Sequence, residues 1–324
     1  MIELNLKPKK GNINRLWNVK GYLGLTKVLV EGVVTTRFKI DQKPIKAKYV
    51  IVKLKCVEYS LNDQNILFEI SQLIWGNSHS SNNGNSSYQN LGELETDFKL
   101  TIPKCNNMPS STNLKSYKIV WKLEAVVKHE KMPWVGEHMI NNVHLQLHRY
   151  NHVYKQLNYF NQSVNGIEFY SNLNKLSFKP LDSLQAKVNL NVKDKDLKIR
   201  KLSMSLERRI INHNIKPSIF RNNIQITKLL EESKDVDNND LTLTFNSIIP
   251  CNKSTLSWSI GESFESSLIS INFFITFSLT FKSSKSIALN TYEINLLSVN
   301  QNQLYQANNH LLNSNLSKSV TISL

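Results

Sequence analysis

Three kinds of side chain in this 324-residue sequence could do chemistry: histidines, cysteines and a large excess of lysine. Five of the eight histidines fall within VKHEKMPWVGEHMINNVHLQLHRYNHVYKQLNYF, a density that invites a metal-site reading. His129-Glu130 has the form of the start of a zinc-protease helix, but the position for the second ligand is Pro133, which also opposes a helix. His144 and His148 alternate with Val143, Leu145 and Leu147, so they read as strand residues. Positions four apart on a strand are separated by about 13 Å, too far to share one metal ion. No metal site and no cofactor is expected. Cys56, Cys105 and Cys251 are odd in number and widely spaced, which predicts free thiols in a reducing compartment and no zinc cluster. No phosphate-cradling glycine loop, nucleophile elbow or paired-carboxylate signature is present, so no catalytic residue is assigned and an enzyme is not expected.

The lysines remain. The formal net charge is +15. Residues 1–160 hold 22 basic against 12 acidic side chains, whereas residues 161–324 hold 18 against 13. The excess lies in the first half and implies an acidic partner. Lys43, Lys46, Lys53 and Lys55 are the candidate contacts to an anionic membrane surface or to acidic protein tails, because they lie in a stretch poor in acids. Lys53 and Lys55 alternate with Val50, Val52 and Leu54, so both ammonium groups are expected to reach water.

The elements that would carry these groups are strands. Tyr117, Ile119, Trp121, Leu123, Ala125 and Val127 occupy every second position, with Lys118, Lys122, Glu124 and Lys128 on the other face. Upstream, Phe98, Leu100 and Ile102 alternate and stop at Pro103. Val28 to Val34 and Val50 to Cys56 alternate on either side of a turn at Asp41–Pro44, and read as a hairpin. In the second half, Ala186 to Val192 and Leu202 to Leu206 flank a charged turn and read as a second strand pair. Ile269 to Phe281 is the longest period-2 run, and Tyr292 to Leu296 follows it. Residues 211–240 are polar and read as a loop, and Val320, Ile322 and Leu324 as a closing strand. Residues 76–90, GNSHSSNNGNSSYQN, cannot bury enough apolar area to offset ordering and read as a mobile loop.

The order of these parts resembles the arrestins. The residues that carry the likeness are Phe98 to Pro103, Pro109 with Ser110 and Ser111, the Tyr-x-Ile-x-Trp-x-Leu-x-Ala strand from Tyr117 to Ala125, Glu31-Gly32-Val33-Val34 with Lys43-Pro44-Ile45, the strand pair from Ser177 to Ile210, and the Tyr292 to Leu296 step. The resemblance implies an all-β protein of two antiparallel β-sandwich domains in tandem: an N-like domain at 1–160, a linker at 161–175 and a C-like domain at 176–324. Within that family the Asn/Ser-rich composition is similar to the fungal trafficking adaptors. These bind cytoplasmic tails of membrane proteins and recruit a ubiquitin ligase or coat machinery. Their Pro-Pro-x-Tyr ligase motif is missing here, so a ligase would be reached through another adaptor, or the chain would serve as a vesicle-traffic scaffold like the arrestin-fold retromer subunit. The implied location is cytoplasmic, peripheral at the plasma membrane or at endosome and Golgi. No apolar stretch reaches the ~18 residues of a membrane-spanning helix.

The rival reading is a basic all-β nucleic-acid binder. It needs aromatic side chains interleaved with basic ones on an exposed face. Trp121, Phe273 and Phe277 sit instead on apolar faces, so nucleic acid is not the expected partner.

Overall fold

The computed structural model describes all residues except 1–2, 10–16, 18, 39–43, 61–62, 78–87, 106, 115, 133–135, 151–159, 165, 195–196, 215–222, 237–239, 252–259, 300 and 320–324. The fold is almost entirely β and divides into two compact units, one of residues 1–112 and 116–151, the other of 113–115 and 152–324.

The first unit contains β1 (Glu3–Pro8), β2 (Val19–Lys20), β3 (Val28–Arg37), β4 (Ile45–Ser60), β5 (Asp63–Gly76), β6 (Gln89–Leu91), β7 (Leu94–Ile102), Thr112 of a short β8 (Thr112–Leu114) whose other two residues belong to the second unit, β9 (Tyr117–Met132) and β10 (Gly136–Leu145). One sheet is built on β3, which pairs with β1, β2 and β7. The other runs β10-β9-β4-β5, with β6 added to β4. Both are antiparallel, and the inward alternate residues of β4 and β9 form the core: Val50, Val52, Leu54, Trp121, Leu123, Ala125 and Val127 have no solvent exposure.

The Pro-Ser-Ser segment has a structural role. Pro109 accepts a 3.0 Å hydrogen bond from the buried Trp121 indole, Ser110 Oγ accepts the Arg149 amide, and Ser111 Oγ accepts the Leu147 amide and donates to the Leu145 carbonyl. A buried indole N–H without such an acceptor would cost about 1–3 kcal/mol. Gly32 is needed for close approach: a Cβ there would stand 2.5 Å from the Trp17 ring and 2.6 Å from the Lys7 carbonyl oxygen. Phe98 lies opposite it in register and packs 5.9 Å from Trp17, so two aromatic rings cover the bare glycine.

The second unit contains β11 (Phe160–Val164), β12 (Ile167–Leu173), β13 (Ser177–Phe178), β14 (Ser183–Val192), β15 (Ile199–Asn212), β16 (Ile224–Asp235), β17 (Asp240–Ile248), β18 (Phe264–Glu265), β19 (Ile269–Phe281), β20 (Ser286–Leu296) and α1 (Gln301–Ser319). Its sheets run β11-β12-β14-β17 and β13-β20-β19-β15-β16. Phe169 and Phe245 from the first meet Phe277 and Tyr292 from the second, with ring centroids 5.5 Å, 6.1 Å and 6.3 Å from Phe277. The Tyr292 hydroxyl donates to the Ser171 carbonyl and bonds the Ser171 hydroxyl, each at 2.6 Å, which fixes one sheet to the other.

Several expectations are corrected. Residues 161–175 are not a linker: Phe160–Val164 and Ile167–Leu173 pair as a hairpin whose turn places Gly166 at φ 75. β3 and β4 do not pair, and neither do β14 and β15; each couple crosses from one sheet to the other. Facing apolar sides across a core and side-by-side pairing give the same period-2 pattern, so alternation could not separate them. The 211–240 region holds strand β16, which pairs with β15 through a bulge at Leu206/Glu207. Residues 301–319 are helical, and the expected closing strand at 320–324 lies outside the described residues. The loop expected at 76–90 is flanked by β5 and β6, and its centre, 78–87, also lies outside them.

Candidate protein-docking face

The candidate site is the outer face of the β10-β9-β4-β5 sheet. Because β9 buries its odd-numbered residues, Lys118, Val120, Lys122, Glu124, Val126, Lys128 and Glu130 point away from the core. The register aligns them with partners on the neighbouring strands and creates transverse rows. Ile140, Val126, Ile51 and Leu73 form an aliphatic row across all four strands. Ile140 is 58% exposed and Leu73 39%. Beside it run Asn142-Glu124-Lys53-Ser71 and then His144-Lys122-Lys55-Glu69. A second aliphatic row, Val120-Val57-Ile66, lies beyond them, with Ile66 52% exposed. On the opposite flank His138, Lys128 and Tyr49 are aligned.

The face is basic. Lys46, Lys53, Lys55, Lys118, Lys122 and Lys128 oppose Glu69, Glu124 and Glu130, six against three. The charges are not equivalent. Lys53 bonds Glu69 at 2.9 Å, while Lys55 bonds Glu124 at 2.7 Å and lies 3.9 Å from Glu69. These four half-buried side chains neutralise one another within the sheet, and they attract an outside anion weakly. Lys122 lies over the Tyr59 ring at 5.2 Å and Lys48 over Tyr88 at 4.8 Å, contacts that leave the positive charge uncompensated. Lys46, Lys118 and Lys128 make no ion pair with a described residue.

Of the four lysines expected from sequence, Lys46, Lys53 and Lys55 share this face, and Lys43 lies outside the described residues. The stronger contributors are Lys118, Lys122 and Lys128 on β9. Their signal was present as the polar half of the β9 alternation; what the sequence lacked was the register that sets them beside β4.

The other reactive groups lie elsewhere. Cys56 is buried, and burial together with the Glu58 charge pushes its thiol far above the ordinary range, which makes it inert in the folded unit. His129 is buried with its ring Nδ1 2.6 Å from the Glu130 carbonyl oxygen, whereas His138 and His144 are exposed on β10. Among the described residues no three His, Cys, Asp or Glu side chains come together as metal ligands, and no helix is long and apolar enough to cross a membrane. In comparisons with known proteins, no family model and no curated protein matches the chain.

Proposed function

We propose that the chain is a non-enzymatic adaptor, of the arrestin-like kind its sequence resembles, that holds acidic cytoplasmic tails of membrane proteins against the outer face of β10-β9-β4-β5. In this role it would link cargo to the machinery of endocytosis, ubiquitin-linked sorting or vesicle transport, with any ubiquitin ligase reached through another adaptor. The observation that carries the reading is the combination on one face of aliphatic rows whose outer members Ile140, Leu73 and Ile66 are exposed with lysines that have no carboxylate partner among the described residues. Aliphatic side chains supply affinity through burial, and the lysines select acidic partners and speed their encounter. Each lysine near an anionic leaflet adds about 1 kcal/mol, so the same surface gives weak attachment to the plasma membrane or to endosome and Golgi membranes. Nucleic acid is disfavoured as partner. Tyr49 and Tyr59 are aromatic residues on the β4 side of this face, and ten strand positions separate them by about 33 Å, far too wide for stacking successive bases.

The test compares wild type with Lys118→Glu/Lys122→Glu/Lys128→Glu for binding to acidic tail peptides, anionic vesicles and single-stranded RNA. Loss of peptide binding with retained folding supports the reading. Equal peptide binding by both proteins, or tighter binding of wild type to RNA than to peptide, overturns it. Reversing Lys53 and Lys55 is a poorer probe, because a glutamate at either position would stand against Glu69 or Glu124 and disturb the sheet itself.

A further inference from the structure

We infer that two copies of the chain associate through α1, the helix of one laid antiparallel against the helix of the other. The pairing uses none of the residues of the docking face. A pair therefore carries two such faces, and two acidic tails on one membrane are held with an avidity beyond that of a single face.

The helix has two apolar stripes. Leu304, Ala307 and Leu311, at i, i+3 and i+7, form the stripe that docks it on its own unit: Ala307 is fully buried, and Leu304 and Leu311 are half-buried. Tyr305 and Leu312 each stand one residue further on, about 100° round the helix, and are 65% and 62% exposed. Among the described residues Tyr305 is the most exposed large hydrophobic side chain. The two are seven residues apart, close to two helical turns or about 10.5 Å, so they lie on one line facing water. A surface helix ordinarily keeps one apolar stripe and turns a polar face outward.

Charge and symmetry name the occupant. The chain has a formal net charge of +15, so its copies repel one another. Residues 301–317 of the helix contain no Asp, Glu, Lys or Arg, and Lys318 is the first such residue. Two of these helices meet without like-charge repulsion of their own, whereas a charged partner finds no ion there to pair with. The antiparallel arrangement is self-complementary, because Tyr305 of each copy packs on Leu312 of the other. It also sets the helix dipoles in opposition, while a parallel arrangement aligns them and stacks Tyr305 on Tyr305. The twofold axis then passes midway between residues 305 and 312, which is between Asn308 and Asn309, so each asparagine meets its own counterpart. Asn308 is exposed, and an amide both donates and accepts, so it bonds to an identical amide. An asparagine in such a contact fixes the register. One helix pair covers less than the ~800 Å² per partner of a stable interface, so association is reversible, with a Kd of about 10–100 µM.

Sedimentation equilibrium on the full chain, from about 5 to about 300 µM, is the test. Wild type should pass from monomer to dimer, and more readily at about 0.5 M than at about 0.15 M salt, because screening removes the net repulsion. Asn308→Glu and Asn308→Lys both introduce good helix formers and set like charges against each other across the axis. Each should associate at least about tenfold more weakly than wild type, and an equimolar mixture of the two should associate at least as tightly as wild type. Circular dichroism and urea unfolding establish that both variants are folded. Wild type that stays monomeric to about 300 µM overturns the inference, and so does association that is unchanged in both variants or that mixing fails to restore. Lys118→Glu/Lys122→Glu/Lys128→Glu should pair like wild type. Pairing lost in that variant and kept in both Asn308 variants would put the contact on the docking face and overturn the role of α1. Wild type that dimerises in this way but binds no acidic peptide would support the helix contact and reject the docking reading alone.

Discussion

Replacing Trp121 by Phe should loosen the first unit selectively, and its magnitude follows from two contacts. The indole is wholly buried and its Nε1 donates to the buried Pro109 carbonyl at 3.0 Å. The smaller ring removes roughly 40 Å² of apolar surface, about 1 kcal/mol at ~25 cal/mol per Å². It also strands the Pro109 carbonyl, which costs about 1–3 kcal/mol. The sum, about 2–4 kcal/mol, is a large part of the stability of a domain. With a urea dependence near 2 kcal/mol per M, the unfolding midpoint should fall by about 1–2 M. Cys56 provides a local readout because it lies directly opposite Trp121 in register and is fully buried. Pulsed thiol labelling followed by mass spectrometry should therefore find Cys56 modified at lower urea in Trp121→Phe, while the second unit unfolds where it does in wild type. Labelling of Cys56 at the same urea concentration in both proteins would refute the assigned role of the indole.

Phe277→Ala should destabilise the second unit by about 3–5 kcal/mol, since it empties the centre of the Phe169, Phe245 and Tyr292 cluster; loss of the tertiary near-ultraviolet signal at lower urea is the check. Gly32→Ala should cost about 1–3 kcal/mol, because Trp17 and the Lys7 backbone must both retreat, and hydrogen exchange should show β1 opening first. Stability of the first unit should fall at alkaline pH. The Cys56 thiol has an ordinary value of 9.0 and is raised in the folded unit, so its contribution is complete below pH 9 and is lost as pH rises above it, by about 1.4 kcal/mol per pH unit. Urea titrations at several alkaline pH values should show this loss in wild type and not in Cys56→Ala.

Strand faces were legible in the sequence, and strand partners were not. The alternation from Tyr117 to Val127 correctly separated buried from solvent-facing residues on β9. It carried no information on whether β3 meets β4 edge to edge or across the core, and the crossing of sheets at both places is set by tertiary packing. β16 escaped notice because an edge strand need bury little: Ile224 and Ile226 are exposed and the rest is largely charged or polar. α1 is rich in Asn and Ser, poor helix formers, and has no acidic residue in its first turn; its buried Ala307 shows that packing overrides propensity there. The candidate face was half legible. Lys46, Lys53 and Lys55 could be placed toward solvent, but only the register reveals that Glu69 and Glu124 neutralise the latter two and that Lys118, Lys122 and Lys128 complete the surface.

The central claim, that the lysines on β9 select acidic partners, is tested most directly by charge exchange. Affinity is measured for an acidic tail peptide and for its Glu→Lys counterpart, each against wild type and against Lys118→Glu/Lys122→Glu/Lys128→Glu. The account predicts that each protein binds the peptide of opposite charge and rejects the other. Binding of the acidic peptide that persists in the reversed protein, or reversed protein that fails to gain the basic peptide while remaining folded, would contradict it.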